Sequence, residues 1–199
     1  MVGSRADLGQ AICMVPLLVI AGFIAGSIPF GVLIAKQRGV NIRAKGSGNI
    51  GATNVARVMG LGPGLAVLLL DASKGAIAAL AAQRICGMDW VIAVAGFAAI
   101  LGHCFSPFLG GKGGKGVATA LGVFVVVAPA LALVGIAVFL LVAGRTRVPA
   151  LGSLSGIGSA TVYAFATGAP ASVTVVALLT TILLVYTHRA NIAKLLTTW

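Results

Sequence analysis

The sequence contains no glutamate and only three aspartates, Asp7, Asp71 and Asp89, against fourteen Lys and Arg. Carboxylate-ligated metal chemistry and His-Asp general-base pairs therefore have almost no acids to draw on. Cysteine is scarce too: Cys13, Cys86 and Cys104 are odd in number, unrelated in spacing, and set in or beside apolar stretches. Neither a disulfide framework nor a thiolate metal cluster follows, and all three read as packing residues. No metal and no cofactor is expected. Charge of any kind is rare, at 9% of the chain.

What is present is apolar: 59% of the 199 residues are hydrophobic, and the mean hydropathy is +1.11. A soluble domain does not need this much to fill one core, so most of the chain must face lipid or other buried helices. The 28 glycines fit that setting, since small residues let helix backbones approach closely where lipid removes the hydrophobic drive for association. The net charge of +11 calls for anionic partners. Because the basic residues lie in short loops between apolar runs, lipid headgroups or phosphorylated substrates fit better than nucleic acid, which is not expected as a partner.

Runs long enough to span a membrane occur at about 11–35, 61–82, 90–108, 148–167 and 171–187. The first follows Arg5 and could imitate a signal peptide, but it is long and lacks a clear A-x-A site, so it reads as a spanning helix. The block 117–142 is either one long helix or two short ones meeting at Ala128-Pro129. Loop charge decides between them. Two helices, with the N-terminus outside, put Lys36, Arg38, Arg43, Lys45, Arg57, Lys112, Lys115, Arg145, Arg147, Arg189 and Lys194 inside and leave Arg5 and Arg84 outside, eleven against two. One helix gives seven against six and discards the positive-inside asymmetry. The expectation is one all-α polytopic domain over 1–199, with about seven spans, the N-terminus outside and the C-terminus cytosolic, reading as a monomer.

Three segments on the inner face carry chemistry. The first, 45–57, is a loop whose glycines free backbone N–H groups to turn onto an anion, with Ser47, Thr53 and Asn54 as further donors and Arg57 as a forked clamp. A plain solvated turn has the same composition. The second, 102–119, places Lys112 and Lys115 among glycines at the start of a helix, where unpaired N–H groups and partial positive charge favour phosphate. It is not a Walker A loop: neither Gly-Lys pair is followed by Ser or Thr. The alternative is a flexible basic loop on lipid headgroups. His103 reads as a local hydrogen-bonding residue.

The third segment, 186–194, holds His188 and Asn191 three apart, on one face if the last helix continues, with Arg189 pointing elsewhere as an anchor. Asp71 and Lys74, i and i+3 within the 61–82 run, are costly in hydrocarbon unless they pair, and read as a neutralised pair that buttresses the site. Ser153 and Ser155 could add hydroxyls, although helix packing explains them as well. Neither histidine is followed by aspartate at the H-x4-D spacing of common glycerolipid acyltransferases, where Phe108 and Ala193 stand. Cations, hydroxyls and at most one imidazole suit transfer between two phosphorylated substrates, where charge neutralisation and alignment do most of the catalysis. A small anion transporter or channel, or a non-catalytic binder of anionic lipid, are the other classes open to such a bundle.

Taken in order, Gly26-Ser27-Ile28-Pro29-Phe30-Gly31, the run Gly48 to Arg57, Asp71-Ala72-Ser73-Lys74-Gly75, the run Gly111 to Thr119, and His188-Arg189-Ala190-Asn191-Ile192 resemble the bacterial acyl-phosphate:glycerol-3-phosphate acyltransferase family, PlsY, from about Gly26 to Leu196. The resemblance implies transfer of a fatty acyl group from acyl phosphate to the 1-hydroxyl of glycerol 3-phosphate at the cytoplasmic face of the inner membrane, giving lysophosphatidic acid and phosphate without direct use of coenzyme A or acyl carrier protein. It puts the catalytic residues on Ser47, Arg57, Lys115, His188 and Asn191, with glycines around Lys112 to Gly116 holding the donor phosphate. Candidate substrate-binding residues are Lys45, Gly48, Asn49, Thr53, Asn54, Lys112, Gly113, Gly114, Gly116, Thr119 and Ser153. Ala190 and the tail Leu196 to Trp199 depart from the family pattern, which often carries acids there. Whether His188 or a substrate phosphate takes the hydroxyl proton stays open.

Overall fold

The computed structural model describes residues 5–197, with side chains from Met14 to Thr197. The side chains of Arg5, Asp7 and Cys13, and the terminal Thr198-Trp199, lie outside the described residues. Every regular element among the described residues is helical.

The first apolar run breaks in two, as α1 (Arg5–Ser27) and α2 (Phe30–Gln37). Pro29 has no N–H to continue the ladder, and its carbonyl starts the next helix by accepting from Val32 and Leu33 N, both at 3.0 Å. The segment read as a loop between two spans is not simply a loop. It contains a 3-10 turn (Ile42–Ala44) and an eight-residue helix, α3 (Ala52–Met59), which ends at Gly60 with φ 95. Val55 is buried on α3 while Thr53 and Arg57 are exposed, the one-sided pattern of a helix lying on a surface.

Two long helices follow, α4 (Leu61–Ile85) and α5 (Asp89–Cys104). A 3-10 turn at Pro107–Leu109 leads through the glycine loop into α6 (Val117–Val127). The break at Ala128-Pro129 is present, with Ala128 extended at φ −159 and Pro129 opening α7 (Pro129–Thr146). Next come α8 (Pro149–Ala166), α9 (Ala171–Thr187) and α10 (Arg189–Thr197), the last two meeting at a 58° bend.

By length and composition, four of the described helical stretches suffice to cross a membrane: 14–37, 61–85, 89–109 and 129–146. The bent pair α9–α10 makes a fifth if its two helices count as one span. Glycines set the packing. A Cβ on Gly22 of α1 would lie 2.5 Å from Ala95 O of α5, and one on Gly156 of α8 would lie 2.6 Å from Gly135 O of α7. These backbones approach as small-residue interfaces allow, and the core between α5, α6, α8 and α9 closes over Ile100, Val123, Ala177 and Leu184.

Candidate active site

The first segment is organised by Asn54. Its Oδ1 accepts from Ser47 N at 2.8 Å, and its Nδ2 donates to Asn49 O at 2.8 Å and Lys45 O at 3.1 Å. Asn54 is buried, so these bonds fix the loop in one shape and leave the amide little capacity for a ligand. Asn49 Oδ1 accepts from Gly51 N at 2.8 Å just ahead of α3. Arg57 lies in the last turn of α3, exposed and facing the second segment.

In the glycine loop the expectation of a broad N–H cradle needs correction. The N–H groups of Gly110, Gly111, Lys112, Gly113 and Gly114 donate to carbonyls of Pro107, Ser106, Leu109, Cys104 and His103, so they are engaged within the loop. What remains for an anion is the stretch from Lys115 into the first turn of α6, whose leading N–H groups have no intrahelical partner. Lys112 is exposed, whereas Lys115 is half-buried and its Nζ donates to Asn191 Oδ1. Burial and the nearby positive charge of Arg57 both hold the Lys115 ammonium below its ordinary pKa.

His188 stands at the corner between α9 and α10. The helix does not run straight through it, contrary to the simplest reading of its spacing from Asn191. The chain stays wound, with Asn191 N donating to His188 O at 2.8 Å, but it turns as the sequence passes from the apolar α9 to the polar α10. His188 is 2% exposed, and its Nδ1 lies 2.8 Å from Leu184 O. A carbonyl only accepts, so Nδ1 carries the proton and Nε2 presents a lone pair. Burial and the charge on Lys115, partly offset by the Leu184 carbonyl, push its pKa down to about 4, so the ring is neutral at ordinary pH. Thr187 Oγ1 donates to Lys115 O at 3.1 Å and ties this corner to the glycine loop. Arg189 is the anchor expected of it, with its guanidinium 4.4 Å from the Tyr186 ring centre and donating to Tyr186 O.

Behind these loops lies a buried cluster that extends the Asp71–Lys74 pair. Lys74 Nζ is 2.8 Å from Asp71 Oδ1, 2.8 Å from His103 Nδ1 and 3.0 Å from Ile28 O. An ammonium only donates, so His103 is a neutral acceptor at Nδ1. Its backbone carbonyl holds Gly114 N at 3.0 Å, and its ring fills the space a side chain at Gly114 would need. His103 is therefore more than a local hydrogen-bonding residue, because it couples the intramembrane pair to the loop that carries Lys115. Nothing in sequence spacing announces this, since 29 residues separate it from Lys74.

These pieces converge on one cavity of about 670 Å³. Ser47, Asn49, Thr53, Asn54, Arg57, Lys115, Gly116, His188 and Asn191 line its mouth. Leu121, Phe124, Leu131, Ile136, Phe139 and Ile157 line its body between α6, α7 and α8. Ser153 also borders it, with its hydroxyl donating back to Pro149 O at 2.9 Å. Lys45, Gly48, Lys112, Gly113, Gly114 and Thr119 are not among its walls. Thr119 is 0% exposed, packed against Gly75 of α4, where the close approach of α4 and α6 hides it. Arg147, between α7 and α8, reaches the mouth, although in the sequence it counts only toward loop charge. A polar, cationic end opening into an apolar body accommodates a phosphorylated headgroup joined to a hydrocarbon chain, and its volume falls within the roughly 300–1,000 Å³ of small-molecule sites.

Comparison with known proteins agrees with this arrangement. The family model described as glycerol-3-phosphate acyltransferase matches residues 16–198. Proteins named glycerol-3-phosphate acyltransferase from Aquifex aeolicus and Anaeromyxobacter dehalogenans are 46% and 48% identical over 181 and 186 residues, covering 90% of this chain and 94% and 92% of theirs. Crystal structures of PlsY, an integral membrane glycerol 3-phosphate acyltransferase, superpose with TM-scores of 0.89 for its glycerol 3-phosphate form and 0.87 for its lysophosphatidic acid form. They are 45% and 44% identical, over 92% of each chain. The chain belongs to the glycerol-3-phosphate acyltransferase family.

Proposed function

We propose that this glycerol-3-phosphate acyltransferase takes its acyl group from acyl phosphate and works as a single membrane-embedded domain, monomeric, in the bacterial inner membrane. The observation that carries the reading is the one continuous cavity with Arg57, Lys115, His188 and Asn191 at its mouth and hydrocarbon-lined walls below. The acyl tail lies along α6, α7 and α8, which brings its phosphate-linked carbonyl up to Lys115. Glycerol 3-phosphate enters from the aqueous side, its phosphate held by Arg57 and the Ser47 hydroxyl, with Asn49 and Thr53 bordering it.

The 1-hydroxyl oxygen attacks the acyl carbonyl carbon, and the carbon–oxygen bond to phosphate breaks as phosphate leaves with the electron pair. Lys115 and the first N–H groups of α6 offset the charge that grows on the carbonyl oxygen and the departing phosphate. The hydroxyl proton passes to Nε2 of His188 or to a phosphate oxygen. Asn191, bonded to Lys115, keeps the two catalytic segments in register.

Seven crossings fit the apolar elements: α1 with α2, then α4, α5, α6, α7, α8 and α9. The mouth then faces the cytoplasm with the N-terminus outside, and loop charge supports that orientation. A transporter would place its anion site near the middle of the bundle, whereas these cations gather at one end. The test is incubation of purified protein in vesicles with acyl phosphate and labelled glycerol 3-phosphate. A lipid-soluble labelled product that needs both substrates supports the proposal, and its absence defeats it. Single-cysteine labelling beside Arg57, Lys115 and His188 should report one side of the bilayer; reactivity from opposite sides would rule out a shared site.

A further inference from the structure

A fourth segment reaches the cavity mouth, the turn between α7 and α8. Arg147 closes α7 at φ 59 and ψ 16, and it is the one non-glycine residue among those described with positive φ. Glycine occupies such left-handed positions without steric penalty, and this chain uses it at Gly60, Gly110 and Gly116. The backbone of Arg147 is held by its N–H donating to Ala143 O at 2.9 Å. Arg147 borders the cavity, is exposed, and its side chain has no hydrogen bond or ion pair with another described residue. A large, charged side chain held in a glycine conformation, free and at the edge of a cavity, points to a role in binding rather than in capping.

Charge at the mouth supports this. Two phosphate groups bring roughly −1.5 to −2 each, whereas Arg57 and Lys115 supply only two positive charges. The single carboxylate on the cavity wall, Asp71, is engaged by Lys74. Position then assigns the ligand. The apolar body lies between α6, α7 and α8, Lys115 stands just before α6, and Arg147 stands between α7 and α8. A hydrocarbon chain in that body delivers its head between these two cations, while Arg57 stands on α3.

We propose that Arg147 is a binding residue for the phosphate of the acyl donor, completing with Lys115 a two-sided clamp that also stabilises the phosphate as it leaves. The proposal rests on acyl phosphate being the donor. A planar guanidinium pairs with two phosphate oxygens at once, which suits a group that must be held until the carbon–oxygen bond breaks.

The experiment varies palmitoyl phosphate at saturating glycerol 3-phosphate, and the reverse, for wild type, Arg147→Gly, Arg147→Asn and Arg147→Lys, with thermal unfolding of each. Glycine and asparagine both tolerate the left-handed backbone, so both variants should fold with unfolding temperatures at or above wild type. The KM for palmitoyl phosphate should rise about tenfold or more in both, the loss of one charge-assisted contact, while that for glycerol 3-phosphate stays within about twofold. Lysine should restore part of the difference. An unchanged donor KM, or an equal rise for both substrates, overturns the assignment. Failure of wild type to use palmitoyl phosphate defeats the donor reading instead, which keeps the two failures apart.

Discussion

The two halves of this bundle are packed on different terms. Of the apolar stretch within 89–109 that contains α5, 61% is buried inside the molecule; in α7 the share is 11%. Around α5, glycines meet neighbouring backbones directly: Gly26 and Gly102 against α1–α5 partners, Gly75 and Gly122 across α4 and α6. α7 and α8 meet each other as closely, at Gly152 and Gly156, while Gly144 and Gly158 meet nothing within 4 Å. The tight half around α5 carries the loops that hold Arg57 and Lys115, whereas α7, with α8 packed on it, forms the outer wall of the cavity. The cations at the cavity mouth thus stand on loops of the more buried half, and the apolar body of the cavity is closed on one side by α7, the least buried of the four long apolar stretches. Substitutions on the two sides should therefore differ in kind, and four of them test the contrast.

The largest effect is expected at Asp71→Ala. Removing the acid leaves Lys74 buried at 4% exposure with His103, the Ile28 carbonyl and the face of the Phe30 ring as its neighbours and no counter-charge among them. Breaking a buried pair from one side costs about 3–5 kcal/mol, and chemical denaturation in detergent should register a loss of that size. A loss under about 1 kcal/mol would mean that the cluster does not brace the tight half. His103 makes the same point functionally, because the Gly114 contact passes any slackening of the cluster on to Lys115.

Next is Lys115→Ala, which should lower kcat about 10²–10³-fold, the usual consequence of removing one preorganised donor to transition-state charge. It should also move the neighbouring imidazole. Lys115 is among the causes that hold the His188 pKa at about 4, so its loss should raise that value in an NMR titration. In wild type, the unfolded chain takes a proton at His188 as pH falls from about 6.5 toward 4, while the folded chain resists it. Stability contributed by this group is therefore complete above about pH 6.5 and declines below it, and the decline should be shallower in Lys115→Ala. An unmoved imidazole pKa would separate the two residues that the cavity mouth brings together.

Much of this was legible in the amino-acid sequence, and the rest was not for physical reasons. Apolar runs and the Ala128-Pro129 break are local signals, so the helices of the bundle and the α6–α7 division follow from them. Helix α3 did not, because its apolar positions, Val55, Val58 and Met59, are few and sit in a run rich in Gly, Ser and Asn that reads equally well as a turn. Arg57, Lys115 and His188 stood out by charge and setting. Residue chemistry, by contrast, could not say that Asn54 is taken up by its own loop, that Thr119 is buried against α4, or that His103 meets Lys74. The first depends on which of several equally polar loop partners the amide takes, and the other two are facts of distant contact between α4 and the segments packed on it.

The remaining predictions set one glycine against another. Gly122→Ala puts a methyl group into the backbone of α4 at Ala72, which cannot yield without separating α4 from α6, and overpacking of this kind costs about 1–3 kcal/mol. Activity should fall with stability, because α6 begins at the Lys115 loop. Gly144→Ala is the smallest change and the sharpest control. Gly144 is exposed, lies inside α7, and has open space where the new Cβ would go. Alanine there removes the conformational freedom glycine has in the unfolded chain and adds no collision, so a gain of about 0.5–1 kcal/mol is expected with turnover unchanged. If Gly144→Ala instead destabilised the protein as Gly122→Ala does, α7 would have to be packed against something along its exposed face, and the contrast between a buried half and an exposed cavity wall would fail at the helix where it is most pronounced.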